Sequence, residues 1–409
     1  MKTNRILQAL VLFLAGSLFT ATAQEYQPIT FEKFLLEVAG NNLEYLSEKY
    51  NVKMAEAEIA IQRMFPDPEL TFESTEDDFN LELGYTLELG KRRSRVGLAK
   101  SEAELERLAL DWFFQELRAE AADAFLEAVL QRQMLEVKRE SYAYMARLSE
   151  YDSLRYTLGE ISEIDARQTY LEAATLLTEV YEQEGQYRSA IVMLNQYMGN
   201  DTGVLFDPLG EWGKMERKYE LGMLIGFGME NRVDLVAANK SVDMALQNMR
   251  LVRAERRPDI DVMVGYERDW SGLLPKQRDM VKAGITIPLK FSNFNKGTVR
   301  QAKYFVDQNE AQARNLELQV QTEISQAFFR YEALGKQVNL FNSGLLDEAE
   351  ALLDGMTFRY KGGEIDILEL LIAQRTHNEV REQYLETMKE YAAAVIELQK
   401  SAGIWDVVF

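Results

Sequence analysis

The feature that most constrains the fold of this chain is a turn sequence that occurs twice. Residues 155–161 read RYTLGEI, and residues 359–365 read RYKGGEI. Each turn follows a long helical pattern without proline, and each precedes a second helical pattern that ends at another glycine. Self-similarity in a fixed order indicates a duplicated structural unit. We therefore expect two halves, each with a long helix, a tight turn and a return helix.

The helical patterns are unusually long. Residues 94–154 contain no proline, and one α-helix of this length would extend for about 90 Å. In the matching residues 297–358, apolar side chains recur every three or four residues, which is typical of a coiled-coil seam. Since a lone helix of this kind is only marginally stable in water, we expect the long helices to pack side by side.

Two short segments before each long helix alternate between apolar and polar residues. Period-two alternation predicts strands with one apolar and one polar face, and about nine residues suffice to cross an outer membrane. The side chains expected to face lipid are Leu81, Leu83, Tyr85, Leu87, Val262, Val264 and Ile285. The side chains expected to face water are Glu82, Thr86, Asp261 and Glu267.

Four predicted strands leave two alternatives open. They could form two amphipathic hairpins on a soluble core, although such long helices offer no compact core to cover. Alternatively, the strands span a membrane, and several chains must then share one closed barrel because lipid cannot satisfy an open sheet edge. Three copies would supply about 12 strands, which lies within the range of known barrels.

Composition restricts the location and the partners. Residues 1–23 combine two cations, an apolar segment and an Ala-x-Ala site, which predicts a cleaved signal peptide. The first repeat is then expected over residues 24–220 and the second over residues 221–409. The formal net charge of −20 argues against nucleic acid as a partner. The absence of cysteine excludes disulfides and thiolate metal sites.

The order of these elements and three local motifs resemble the TolC-like outer-membrane efflux factors. Residues 87–93, LELGKRR, look like the segment that opens the first long helix in many members, and residues 287–297 look like its counterpart in the second half. The two RYxxGEI turns look like the periplasmic helix tips. The first two motifs are more similar to the cation-efflux (CzcC-like) branch than to the drug-efflux type.

This resemblance implies a mainly α fold with a small β part. Three chains with four strands each would form an outer-membrane β-barrel, continued by a long periplasmic α-helical barrel. The implied function is the exit duct of a tripartite efflux pump in a Gram-negative-type cell, with metal cations or small toxic compounds as cargo. The implied partners are two further copies, outer-membrane lipid, a periplasmic adaptor (membrane fusion) protein and an inner-membrane transporter of the resistance-nodulation-division type. No cofactor is implied.

Two other classes of protein are alternatives to a duct. The sequence lacks a nucleophile elbow, a phosphate-binding loop and an HExxH motif, so we expect no enzymatic activity. A structural or adhesive coiled-coil protein of the cell envelope is the alternative without transport. It accounts for the long helices but not for the duplicated pairs of amphipathic strands.

The two tips are a candidate docking surface for the adaptor. Glycine permits the tight reversal between antiparallel helices because it tolerates positive φ. Arginine and aromatic side chains at an exposed tip suit a protein interface. The residues expected to form this surface are Arg155, Tyr156, Leu158, Gly159, Arg359, Tyr360 and Gly363.

Two acids after the second tip are candidates for an entrance gate. Asp366 and Glu369 share one helix face. The resemblance to TolC-like factors implies that acids at these positions project into the entrance. Three copies would then form carboxylate rings that attract cations. The alternative is that both acids stabilise the start of their helix through its dipole. The corresponding positions in the first half are Ser162 and Asp165, so only one acid repeats. The only histidine, His377, lacks neighbouring ligands, and we expect a packing or lumen residue rather than a metal ligand.

Overall fold

The computed structural model describes residues 25–201, 203–210, 218–269, 278–289 and 293–406, so the predicted signal peptide lies outside the described residues. The first half contains β1 (Glu25–Thr30), α1 (Phe31–Asn41), α2 (Leu43–Gln62), β2 (Glu69–Ser74), β3 (Asp78–Leu87), α3 (Lys91–Thr157) and α4 (Glu163–Tyr197). The second half contains β4 (Val204–Leu209), α5 (Leu221–Asn231), α6 (Val233–Ala254), β5 (Ile260–Asp269), β6 (Arg278–Thr286), α7 (Lys296–Leu340), α8 (Leu346–Lys361) and α9 (Ile367–Ser401). The fold is mainly helical with a small sheet part, as predicted.

The two halves repeat the same order of elements. Each has one strand, two shorter helices, two strands, a long helical segment and a return helix. β1 and β4 pair as parallel strands, with Glu25 opposite Val204, so the two halves start side by side. β4 is therefore the counterpart of β1 by order and by position. The predicted division between residues 220 and 221 stays a prediction.

The second long helix is not continuous, which corrects the prediction of one helix over residues 297–358. A single π-helical turn, Phe341–Leu345, separates α7 from α8. Gly344 in this turn has a φ of 112°, a conformation that only glycine adopts readily. The Ser343 hydroxyl donates to the Leu340 carbonyl at 2.7 Å and so satisfies one backbone acceptor near the bulge. In the first half α3 runs through the matching residues 137–141, which contain no glycine.

The predicted strands form one antiparallel sheet in the order β2, β3, β5, β6. The register aligns Leu70, Leu83, Val264 and Ala283 across all four strands. The neighbouring row aligns Thr71, Glu82, Gly265 and Lys282, and its side chains point to the other face. The predicted alternation of an apolar and a polar face is thus confirmed.

The apolar face of this sheet is not covered by any described element. Leu83 and Val264 expose 52% and 59% of their surface, although both lie in the two central strands. None of the described helices is both long enough and apolar enough to cross a membrane.

The largest apolar core lies where α1, α3, α4, α9 and β1 meet. Phe34, Phe125 and Leu194 are almost fully buried there, and the rings of Phe31 and Phe125 pack edge to face at 5.4 Å. α3 contacts α2 and α4 of the first half and α6 and α9 of the second, so this long helix packs against both halves.

One ionic cluster is buried between α6, α7 and the end of α9. Arg232 donates to Asp234 and to Glu323, each at 2.6 Å, and its third contact is the Ser401 carbonyl at 3.2 Å. The Arg232 side chain is only 4% exposed. Because the three acceptors lie on α6, α7 and α9, Arg232 connects three helices of the second half.

Candidate functional site at the helical tips

The two tips are built by the same backbone geometry. Gly159 and Gly363 have φ values of 79° and 74°, which places both in the left-handed region. In the first tip the Glu160 N–H donates to the Arg155 carbonyl at 2.9 Å, and the second tip has the same bond at 3.0 Å. This is the six-to-one bond of a Schellman motif, which ends a helix and starts the reversal. The repeated sequence motif therefore encodes a repeated structure.

The same motif also repeats an ion pair. The Arg155 guanidinium lies 3.4 Å from the Glu160 carboxylate, and Arg359 lies 3.4 Å from Glu364. Each pair bridges the first and sixth residues of its turn. The arginine and glutamate of RYxxGEI thus hold each turn closed, besides any contact they make with a partner.

The two tyrosines of the motif occupy different environments. Tyr156 is 43% exposed, whereas Tyr360 is 4% exposed, so the expectation that Tyr360 is exposed for docking is wrong. The Tyr360 hydroxyl donates to the Asp152 carboxylate at 2.9 Å. Since Asp152 lies on α3 and Tyr360 on α8, this bond joins the two helical hairpins close to their tips.

The Arg155 side chain is also mostly buried, because it lies between the two hairpins. Its guanidinium carbon lies 5.5 Å from the centre of the Tyr360 ring and 5.6 Å from that of Tyr151. One of its nitrogens lies 3.9 Å from the second oxygen of Asp152. Arg155 therefore supports the contact between the hairpins as well as its own turn.

Asp152 is a functional candidate that sequence reasoning missed. It is fully buried and follows Met145 and Leu148 on the buried stripe of α3. The sequence indicates its burial in one way, because Asp152 is a charged residue at a position where the apolar stripe of α3 predicts an apolar one. Burial raises the pKa of the Asp152 carboxyl, and the hydrogen bonds from Tyr360 and Thr169 partly oppose this rise.

Further polar contacts join the hairpins along α3, away from the tips. The Tyr144 hydroxyl lies 2.6 Å from that of Thr357 on α8. Lys138 lies between two acids, at 3.0 Å from Glu179 on α4 and 2.5 Å from Glu382 on α9. These contacts are spaced along the helices, so the Asp152–Tyr360 bond is the last of a series that ends at the tips.

The structure gives Asp366 a role at the start of α9. Its carboxylate accepts the backbone N–H of Glu369 at 3.1 Å, which makes Asp366 the N-cap of the helix. Ser162 occupies the same place in the first half and forms a capping box with Asp165. Asp366 and Glu369 are both exposed. Capping is therefore established as one role, and lining of an entrance stays a prediction.

The remaining predicted tip residues are accessible. Leu158, Gly159, Arg359 and Gly363 are exposed with Tyr156, so these five still fit a docking surface. His377 is half-buried on α9, and its Nδ1 has no partner among the described residues. In the described ranges, no group of three or more His, Asp or Glu side chains could hold a metal ion.

Comparison with known proteins then places the chain. A family model described as outer membrane efflux protein matches residues 228–404, from the end of α5 to the end of α9. This match supports the predicted TolC-like family of outer-membrane efflux proteins. It is 23% identical over 383 residues to the cobalt-zinc-cadmium resistance protein CzcC of Cupriavidus metallidurans. The match covers 92% of this chain and 90% of CzcC.

Solved structures show the same fold. A membrane protein from Pseudomonas aeruginosa superposes with a TM-score of 0.76 at 17% identity, covering 91% of this chain and 93% of that one. The CmeC outer membrane channel of Campylobacter jejuni superposes with a TM-score of 0.75 at 14% identity, covering 90% and 84%. Together, the family match and the similarity to CzcC confirm the predicted TolC-like family and outer-membrane location, and they confirm that the protein is not an enzyme.

Proposed function

We propose that three copies of this protein form the outer-membrane exit duct of a tripartite efflux pump. The observation that carries the proposal is the four-stranded sheet, which has one uncovered apolar face and one polar face. Its edge strands, β2 and β6, have no partner strand among the described residues. Lipid would leave those edges unsatisfied, so the sheet needs neighbouring copies to close a barrel. In that barrel the apolar face contacts lipid and the polar face lines water.

The helices support the same assembly. Within one chain, α6 packs between α3 and α7, whereas its counterpart α2 packs on α3 and has no comparable contact with α7. A ring of copies would place the free side of α2 against α7 of the next copy. The exposed Tyr50, Met54 and Ile61 of α2 would then be covered.

The cargo and the partners belong to the same proposal. The similarity to a cobalt-zinc-cadmium resistance protein favours divalent metal cations over small toxic compounds, and the acidic composition suits a cationic cargo. The tips would meet a periplasmic adaptor protein through Tyr156, Leu158 and Arg359. The adaptor in turn would connect the duct to an inner-membrane transporter of the resistance-nodulation-division type.

Assembly and conductance test the proposal together. The full chain in detergent is expected to sediment as a trimer, and its insertion into a planar lipid bilayer is expected to give discrete, cation-selective conductance steps. A folded monomer that retains its full strand content would contradict the shared barrel. A stable trimer that never conducts would instead favour a structural role in the cell envelope.

Removing the hydrogen bond between the hairpins is expected to loosen the tips. Tyr360→Phe deletes one bond to a buried carboxylate, which is worth about 1.5–3 kcal/mol. The protection of backbone amides in residues 355–370 against hydrogen exchange should then fall by roughly one to two orders of magnitude. Tyr156→Phe is the matched control, because Tyr156 occupies the same position of the motif but is exposed. This substitution should change the protection little. Equal effects of the two substitutions would show that the Asp152 bond does not hold the hairpins together.

The same contact should respond to pH. Because burial raises the pKa of Asp152, the folded tip binds its proton more tightly than the unfolded chain does. The tip is therefore most stable below the ordinary aspartate pKa of about 4, and stability is lost as pH rises through the raised pKa. Hydrogen exchange corrected for intrinsic rates should show this loss, and Asp152→Asn should abolish it. An unchanged pH dependence in Asp152→Asn would show that the Asp152 carboxyl is not its source.

The entrance prediction concerns Asp366 and Glu369. Three copies of each carboxylate around one axis would attract cations, so the double substitution Asp366→Asn with Glu369→Gln is expected to lower cation selectivity and weaken block by multivalent cations. Asparagine retains the capping function, so α9 should still form. Ser162→Ala with Asp165→Asn is the control at the other tip. Single-channel recordings that show no difference would leave Asp366 and Glu369 as helix-start residues only.

A further inference from the structure

The four junctions between strands and long helices lie at one end of the sheet and carry an excess of positive charge. The register brings the start of β2, the end of β3, the start of β5 and the end of β6 to this end. The junction segments are residues 63–68, 88–95, 253–259 and 293–300. They contain ten Lys or Arg residues against four Asp or Glu residues, in a chain whose net charge is −20. We call the cations of these four segments the basic belt.

Direct contacts join three of the four junctions into one surface. Lys91 at the start of α3 lies 2.6 Å from Asp259 before β5. The Arg92 guanidinium lies 3.9 Å from the centre of the Phe65 ring before β2. The Arg257 guanidinium lies against Gly90, within 3.4 Å of where a Cβ would stand. Three of the four junctions are thus in direct contact.

Several cations of the belt lack acidic partners. Lys91 and Arg95 form ion pairs with Asp259 and Glu88. Arg63, Arg93 and Arg256 are exposed, and no carboxylate of the described residues lies within ion-pair distance of them. Among the described residues, these three charges therefore have no acidic partner.

The position of the belt costs the helices stability on their own. The first turn of α3 holds three consecutive cations and no acid, although the positive end of a helix dipole favours acids. An external negative charge would remove this cost. The opposite end of the sheet differs in sign, since the described residues there include Glu76, Asp77 and Asp78 at the turn between β2 and β3.

Apolar side chains accompany the belt. Phe65, Leu89, Leu289 and Phe294 are exposed at the same junctions, directly below the apolar face of the sheet. An apolar face bordered by exposed aromatic and cationic side chains is the arrangement found where a protein surface passes from hydrocarbon to lipid headgroups.

We propose that the basic belt binds the phosphate groups of anionic phospholipids in the leaflet that faces the long helices. The inference rests on the proposed function, since it requires the sheet to span a membrane. Its chemistry is charge complementarity, with exposed guanidinium groups and phosphate diesters meeting at the depth where the strands end. The exposed apolar side chains at the same junctions would contact the upper acyl chains of the same lipids.

Charge reversal in the belt tests this inference on the full chain. The variant Arg93→Glu with Arg256→Glu is reconstituted in vesicles of phosphatidylcholine alone or with phosphatidylglycerol added. Arg314→Glu with Arg330→Glu is the matched control, because both arginines are exposed, lack acidic partners in the described structure and lie along α7 away from the sheet. The readouts are lipids retained by the trimer in native mass spectrometry, trimer stability to heat, and conductance.

Wild type and control are expected to retain phosphatidylglycerol in preference to phosphatidylcholine. The belt variant should lose that preference by roughly tenfold or more, since one cation near an anionic surface contributes about fivefold in affinity. Equal preference in all three proteins would overturn the inference alone, provided that they insert and conduct. If the belt variant lost its trimer even in pure phosphatidylcholine, the belt would be a contact between copies and not a lipid site, and the inference would also be wrong. Failure of wild type to insert into either vesicle would overturn the proposed function itself.

Discussion

Leu83→Arg is expected to destabilise the membrane-inserted protein by about 2–4 kcal/mol, the cost of an arginine on the lipid face near the middle of a bilayer. Leu83 lies near the centre of β3, an inner strand of the sheet. Its cross-strand partners Leu70 and Val264 are also apolar and exposed, so no acid is near enough to compensate the new charge. Reversible unfolding from phospholipid vesicles by denaturant measures the effect, and the fraction of trimer should fall with it.

Glu82→Arg is the control for this substitution. Glu82 neighbours Leu83 in the same strand but belongs to the polar face, opposite Thr71 and Gly265. An arginine there would lie in water and near the polar face of the barrel, so the free energy of unfolding should change by less than about 1 kcal/mol. If Glu82→Arg were the more damaging change, the sheet would present its polar face to lipid, and the proposed barrel would be wrong.

Arg232→Met is expected to destabilise the protein by about 3 kcal/mol, at the lower end of the range for removing one partner of a buried ion pair. The substitution removes the donor to the Ser401 carbonyl and leaves the Asp234 carboxylate with only the Leu235 N–H, whereas Glu323 is half exposed and can be solvated. Methionine retains most of the volume, so the loss reports the charge rather than a cavity. Denaturant unfolding followed by circular dichroism gives the free energy.

Arg188→Met is the matched control for Arg232→Met. Arg188 also forms an ion pair at 2.6 Å, with Glu184, but it lies on the surface of α4 and is more than half exposed. An exposed pair of this kind contributes less than about 1 kcal/mol, so the control should unfold almost like wild type. Similar losses in both variants would mean that Arg232 acts through surface charge and not as a buried link.

Patterns local in sequence predicted the structure well where local rules decide it. The alternation over residues 81–89 determines which side chains share a face, and the register of β3 with β2 and β5 agrees with it. The RYxxGEI motif likewise determines the turn, because Gly159 and Gly363 both adopt positive φ. Such features depend on a few neighbouring residues and on backbone geometry that is the same in every protein.

Features that depend on distant partners were not predictable in the same way. Tyr156 and Tyr360 occupy the same position of one motif, yet only Tyr360 packs against the other hairpin of its own chain. The burial of Asp152 follows from the same contact, more than two hundred positions away in the sequence. The π-helical turn at Gly344 was missed for another reason. A glycine in a helical pattern is compatible either with a continuous helix at some cost in stability or with a break, and local sequence does not distinguish the two. Here Gly344 lies in the π-helical turn, and Phe341 of the same turn packs against Tyr384.

Because Tyr156 and Tyr360 differ in their contacts, the proposed ring would have two kinds of interface between neighbouring hairpins. Six hairpins would meet in six places. Three of these joints lie inside a copy, one in each, and would carry the Tyr360–Asp152 bond. At the three joints between copies, Tyr156 would approach Met356, which stands where the first half has Asp152, so no such bond can form. Strong and weak interfaces would thus alternate around the aperture. On opening, the interfaces between copies would separate first, and the two hairpins of each copy would move together as one rigid unit.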